Sequence, residues 1–193
     1  MIRTRVLPSL FAVTLLTTGA RAEPVDWANV DGWDVAYYPG SKGCQAFTLF
    51  DEETAFFIGF DGKGGNPALD VTLLNSAWDM IEHGEEYPVR LRFGDQAAWT
   101  LNMDGVVLNG YPGFHILIDA DTPSARQFTR EFKRERVMLW RRAGQTLGTF
   151  SLSGSNNAFT AVRECHEFHR KARDARSAAS RERSPQTNDP FAS

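Results

Sequence analysis

The feature that most restricts how this chain can fold is its pair of cysteines. Cys44 and Cys165 are the only two in 193 residues. Cys165 falls in residues 146–169, TLGTFSLSGSNNAFTAVRECHEFH. That stretch reads as a strand, a turn at Ser153-Gly154-Ser155 and a helix. Ala158, Ala161, Val162, Cys165 and then Phe168 or His169 follow the 3–4 spacing of one buried helical face. Cys44 opens a different candidate strand. A bond between the two sulfurs ties the last helix to the early sheet and encloses what lies between. Whether they are bonded depends on where the protein resides.

The N-terminus speaks to that. Residues 1–22 begin with Arg3 and Arg5, run apolar through about a dozen positions, and close on Ala20-Arg21-Ala22. A basic start, a short apolar run and an A-x-A ending are the parts of a secretory leader. A bilayer-spanning helix needs roughly 20 apolar residues. This run is shorter and is broken by Pro8, so no transmembrane segment is expected. The reading is a cleaved signal peptide over 1–22 and a mature protein in the periplasm. In an oxidising compartment two lone cysteines pair, so a Cys44–Cys165 disulfide is predicted.

Without residues 1–22 the chain keeps 18 basic and 24 acidic residues. Residues 23–170 alone carry 13 and 21, a net of -8. Such an acidic balance argues against nucleic acid as a partner, since that affinity rests on cationic contacts. Residues 23–170 are enough for one sizeable core, and 14 Phe with 5 Trp suit a sheet-built one. Beyond Lys171 no apolar periodicity remains, and 171–193 reads as a disordered tail.

Along the chain, residues 23–31 read as a lead-in. Strands are predicted over 33–38, 44–50, 54–60 and 69–74 from their apolar and β-branched content. Residues 77–81 suggest a short helical turn. Residues 87–93 alternate cleanly, with Val89, Leu91 and Phe93 inward and Arg90 and Arg92 outward. Residues 97–103 alternate too. Asp104-Gly105 is a hairpin signal returning the chain through 106–108. Further turns follow at Asn109-Gly110 and Pro112-Gly113, then a strand carrying Phe114, Ile116 and Ile118. Asp121-Thr122-Pro123 starts a helix with a capping hydroxyl and proline at its first position. Ala125, Phe128 and Phe132 give it an apolar face. Strands over 137–140 and 146–152 are hinged at Ala143-Gly144. Nine or ten short strands with two helices make a mainly β, β-rich α+β protein: an antiparallel sandwich or barrel with two packed helices.

The candidate chemical sites are few. Asp61-Gly62-Lys63-Gly64-Gly65-Asn66-Pro67 lacks the spacing and the following helix of a phosphate-binding loop. Cys165 and His169 share a helix face and Cys44 offers a third zinc ligand, but no fourth is evident. No metal or cofactor is expected. His166 and His169 are read as surface or rim residues. The serines at 151, 153 and 155 have no G-x-S-x-G elbow around them. Seven basic residues between Arg126 and Arg142 face two glutamates. Arg126, Arg130 and Lys133 lie at i, i+4 and i+7, opposite the phenylalanines, with Arg134 beside them. These four are the candidate docking residues for an anionic partner, either another envelope protein or an anionic envelope component.

The C-terminal pattern, a strand into Phe150-Ser151-Leu152-Ser153-Gly154-Ser155 and an apolar helix from Ala158, resembles the invasion-associated locus B family of exported proteobacterial β-rich proteins. Gly43-Cys44-Gln45-Ala46 is similar to a glycine-cysteine-x-alanine element in that group. The resemblance implies export and a β-rich fold, and implies no catalytic site. The functional expectation is a non-enzymatic periplasmic binding or envelope-accessory protein. Two alternatives stand beside it. One is an inhibitor or immunity protein acting on an enzyme through loop 61–67. The other is a hydrolase assembled in three dimensions from His83, His115 and Asp119.

Overall fold

A computed structural model describes residues 23–183. The proposed leader, 1–22, and residues 184–193 lie outside the described residues. Ten strands run in order: β1 (Val25–Val30), β2 (Trp33–Tyr38), β3 (Gly43–Phe50), β4 (Thr54–Asp61), β5 (Ala68–Asn75), β6 (Glu86–Phe93), β7 (Trp99–Leu108), β8 (Tyr111–Asp119), β9 (Val137–Arg142) and β10 (Gln145–Ser151). Helix α1 (Pro123–Arg134) lies between β8 and β9, and α2 (Ser155–Arg183) follows β10. The mainly β, antiparallel expectation holds. All ten strands form one sheet, ordered β1-β2-β3-β4-β5-β8-β7-β6-β9-β10, which is not closed into a barrel.

The sheet nonetheless curls. β4 and β9 are five places apart, about 24 Å in a flat sheet at the usual strand spacing. Yet the Phe56 and Trp140 rings meet at 6.2 Å, and Phe50 of β3 stacks on Phe150 of β10 at 4.7 Å. The two halves therefore face each other across a core of inward-pointing side chains. α1 enters that core with Phe128 against Phe93 at 5.0 Å and Phe132 against Trp33 at 5.7 Å. α2 lies over β1 to β4. Cys44 and Cys165, both fully buried, form the predicted disulfide with a Cα–Cα distance of 6.0 Å.

The turn chemistry explains what sequence patterning got right and wrong. Asp104-Gly105 is no turn: β7 runs straight through it, pairing Asp104 with Glu86 and with His115. Gly105 is there for close approach, since a Cβ on it would sit 2.1 Å from the Glu82 carbonyl oxygen. The hairpin falls at Asn109-Gly110, where φ of 52° and 86° meets the left-handed demand of a type I′ turn. Residues 25–30, read as a lead-in, form edge strand β1, turned back by Asp31-Gly32 with φ of 51° and 84°. Residues 77–81 form turns, with Ile81 N donating to Trp78 O at 3.0 Å, and do not extend into a regular helix. Thr122 caps α1 by accepting from the Ala125 amide, with Pro123 opening the helix as expected.

α2 also differs from expectation. It continues to Arg183, past the point where a disordered tail was predicted. No apolar stripe is needed for that extension. Alanine, arginine and glutamate have high helix propensity, and Lys171–Glu167 at 2.7 Å and Arg170–Asp174 at 3.0 Å supply i,i+4 ion pairs.

Candidate functional site

α1 divides its faces sharply. Ala125, Phe128, Glu131 and Phe132 are buried, and the intervening positions carry the cations. Burying Glu131 requires partners, and it has two: Trp99 Nε1 donates to it at 2.6 Å and Gln127 Nε2 at 2.8 Å. Glu135, the other acid of the segment, accepts from Gln96 Nε2 at 2.9 Å. Both carboxylates of the segment are thus engaged away from the basic stripe.

The stripe lines a groove of about 610 Å³ between α1 and α2. Arg126, Arg130, Lys133 and Arg134 form the α1 wall, and α2 contributes Asn156 and Arg163. The floor is apolar, made by Leu69, Ala125 and Phe159, with Phe60 packed against Phe159. Among the described residues none of these five cations makes an ion pair. Arg126 donates to the Asp121 carbonyl oxygen, a neutral acceptor. The structure therefore gathers all four predicted docking residues into one groove and adds Arg163, which sequence reasoning missed. Asn156, Phe159 and Arg163 do recur at i, i+3 and i+7, a stripe flanking the buried face of α2. What no spacing within α2 reveals is that this stripe faces α1.

The other candidates fall elsewhere. The disulfide consumes both sulfurs, so the Cys44–Cys165–His169 zinc arrangement is not formed. His166 is 9% exposed rather than a surface residue and packs on the Phe60 ring at 4.8 Å. Burial first, then Arg173 and Arg170, lower its pKa. His169 stacks on Tyr37 at 3.8 Å.

His83, His115 and Asp119 do not converge. His83 is exposed in the turn before β6, and Asp119 Oδ1 accepts the Asp121 amide at the start of α1. His115 has a carboxylate partner that the sequence did not suggest: Asp70, 3.3 Å from Nε2. Both lie on the outer sheet face, where the 6%-exposed Asp70 also accepts Gln45 Nε2 at 2.7 Å and Thr72 Oγ1 at 3.2 Å. Gln45 reaches Asp70 across Gly59, which stands between them in register and has no side chain to block the way. The hydrogen bond with Asp70 raises the His115 pKa, and partial burial opposes it. Loop 61–67 is tied down: Gly62 N donates to Ser41 O, Lys63 N to Asp61 Oδ1, and Ala120 N to Pro67 O.

A second basic depression of about 410 Å³ lies on the outer face of β6 and β9, lined by Arg90, Arg92 and Arg141 among others. Arg90 and Arg141 are direct cross-strand neighbours. It is shaped by exposed strand side chains rather than by two converging helices.

No protein-family model matches the sequence, and comparison with curated proteins likewise gives no match. Among solved structures, the chain is similar to invasion associated protein B from Bartonella henselae, with a TM-score of 0.51 and 11% identity over 76% of this chain and 99% of that one. The resemblance read from the C-terminal and Gly43-Cys44 motifs is thus a likeness of fold, an open, antiparallel β-rich architecture with packed helices.

Proposed function

We propose that this chain is an exported, non-enzymatic binding protein that docks an anionic envelope partner through the groove walled by Arg126, Arg130, Lys133 and Arg134. One observation carries the reading: cations from two helices line a single groove that no carboxylate lines, and none of them forms an ion pair among the described residues, in a chain whose net charge is negative. Mutual repulsion among them opposes folding, and an anion from outside relieves it. The leader-like 1–22 segment and the long-range disulfide support export.

The test is capture from a periplasmic extract at low and high salt by wild type and by a variant with all four residues changed to glutamine. Wild type retains a specific partner at low salt and releases it as screening increases, while the variant captures nothing at either. Capture by the variant equal to wild type sinks the proposal. All four side chains lie outside the buried face of α1 and their removal relieves repulsion, so the variant should melt no lower than wild type.

A further inference from the structure

Resting on that reading, we infer that the occupant of the α1–α2 groove is a water-soluble, multiply charged oxyanion of the phosphate- or sulfate-ester type. Neither an acyl chain nor a bilayer-embedded lipid fits it.

The walls set the charge. Arg126, Arg130 and Lys133 descend one side at i, i+4 and i+7, and Arg163 stands on the other. Cations on two walls are spaced to meet several negative groups at once, beyond what a lone carboxylate presents. Guanidinium forks match tetrahedral oxyanions through paired N–H donors. Asn156, in the first turn of α2, adds an amide that can donate to an oxyanion in the groove. A volume of about 610 Å³ is in the range of small-ligand sites.

The floor sets what the ligand lacks. Leu69 and Phe159 are each 1% exposed and Ala125 2%. They are packed already, Phe159 against Phe60 at 5.7 Å and Phe132 at 6.1 Å. That closed apolar bed lowers the local dielectric and strengthens attraction above it, yet it leaves no slot for a hydrocarbon chain. A lipid headgroup held in its membrane would require apolar side chains around the mouth to enter the interface. The exposed large apolar residues, such as Trp27, Leu49, Met80 and Phe168, do not line the groove.

The experiment titrates the full mature chain with sodium tripolyphosphate by calorimetry and, in parallel, sediments it with vesicles of phosphatidylglycerol in phosphatidylcholine. Three proteins are compared: wild type, Arg130→Gln/Arg163→Gln, and Arg90→Gln/Arg141→Gln, which removes equal charge from the outer sheet face. Wild type and the outer-face variant are expected to bind tripolyphosphate alike. The groove variant should bind about a hundredfold more weakly, about tenfold for each guanidinium removed, with a melting temperature no lower than that of wild type. Equal weakening in both variants overturns the inference, because net charge alone then governs binding. Sedimentation with vesicles but no tripolyphosphate binding overturns it while leaving an anionic partner in place. Binding to neither probe overturns the inference, and loss of partner capture in the four-glutamine variant then decides whether the anionic reading survives with a protein occupant.

Discussion

Removing the Cys44–Cys165 crosslink should cost more than any other single change to this fold. The bond joins residues 121 apart. The chain-entropy relation for a loop of that length gives about 4.9 kcal/mol at 25 °C. In a domain of roughly 150 residues each kcal/mol moves the melting temperature by about 2–4 °C, so a loss of about 10–20 °C follows. Cys44→Ala/Cys165→Ala is the variant to make, because both sulfurs are fully buried and serine would bury an unpaired hydroxyl. Reduced wild type is the companion, since it keeps both sulfur volumes and isolates the crosslink from packing loss. Urea denaturation followed by tryptophan fluorescence reads the free energy, and helical circular dichroism reports α2 separately. Reduced protein losing less than about 1 kcal/mol would refute the reasoning, because packing of α2 on β2 and β3 would then suffice without loop closure.

The remaining predictions concern buried and partly buried polar groups. Glu131→Ala leaves the Trp99 indole N–H and the Gln127 amide without their acceptor and should lower stability by about 1–3 kcal/mol in urea; Glu131→Gln, which retains a carbonyl acceptor, should cost less, and equal costs would count against the hydrogen bonds. His115 and His166 should act on stability in opposite senses with pH. His115 has a raised pKa, so its contribution is complete below the ordinary value of 6.5 and is lost as pH rises through the folded value. The stability advantage of wild type over His115→Gln should therefore shrink as pH rises above 6.5. His166 has a lowered pKa, so its contribution is complete above 6.5 and is lost as pH falls through the folded value. Wild type should accordingly lose ground to His166→Phe on acidification. Parallel pH profiles for the two variants would contradict both assignments.

Much of the fold was legible because the strands carry their own period. Val89, Leu91 and Phe93 are fully buried and Arg90 and Arg92 exposed, as alternation alone demanded. The misreadings came where one residue type serves two physical ends. Glycine after an acid signals a tight turn, but Gly105 is required for the close approach of Glu82 and Tyr87, and the chain stays extended. β1 was invisible because an edge strand buries little: Val25 is 51% exposed and Trp27 37%. The helical tail was misread for a related reason, since the expectation sought an apolar stripe where propensity and ion pairs act instead. The α1 half of the groove was legible in the spacing of Arg126, Arg130 and Lys133. Arg163 was not, because proximity between helices separated by β9 and β10 is a property of the assembled sheet.

The groove sets local electrostatics against packing. Arg163 faces the α1 cations, so charge alone would drive α2 away from α1. What opposes that force sits directly behind the charged residues. Ser155 Oγ donates to the Phe132 carbonyl at 2.8 Å, the Phe132 and Phe159 rings meet at 6.1 Å, and Cys165, two residues beyond Arg163, is bonded to β3. A site that binds anions must hold its cations unneutralised until the ligand arrives, and that costs folding energy wherever it is built. Placing the α2 wall beside the one covalent tie lets the core and the crosslink bear this cost together. On the proposed reading the disulfide restrains the groove wall as well as the fold. Reduction should weaken anion binding even under conditions where the sheet remains folded, because the wall bearing Arg163 is the part of the molecule that the bond restrains.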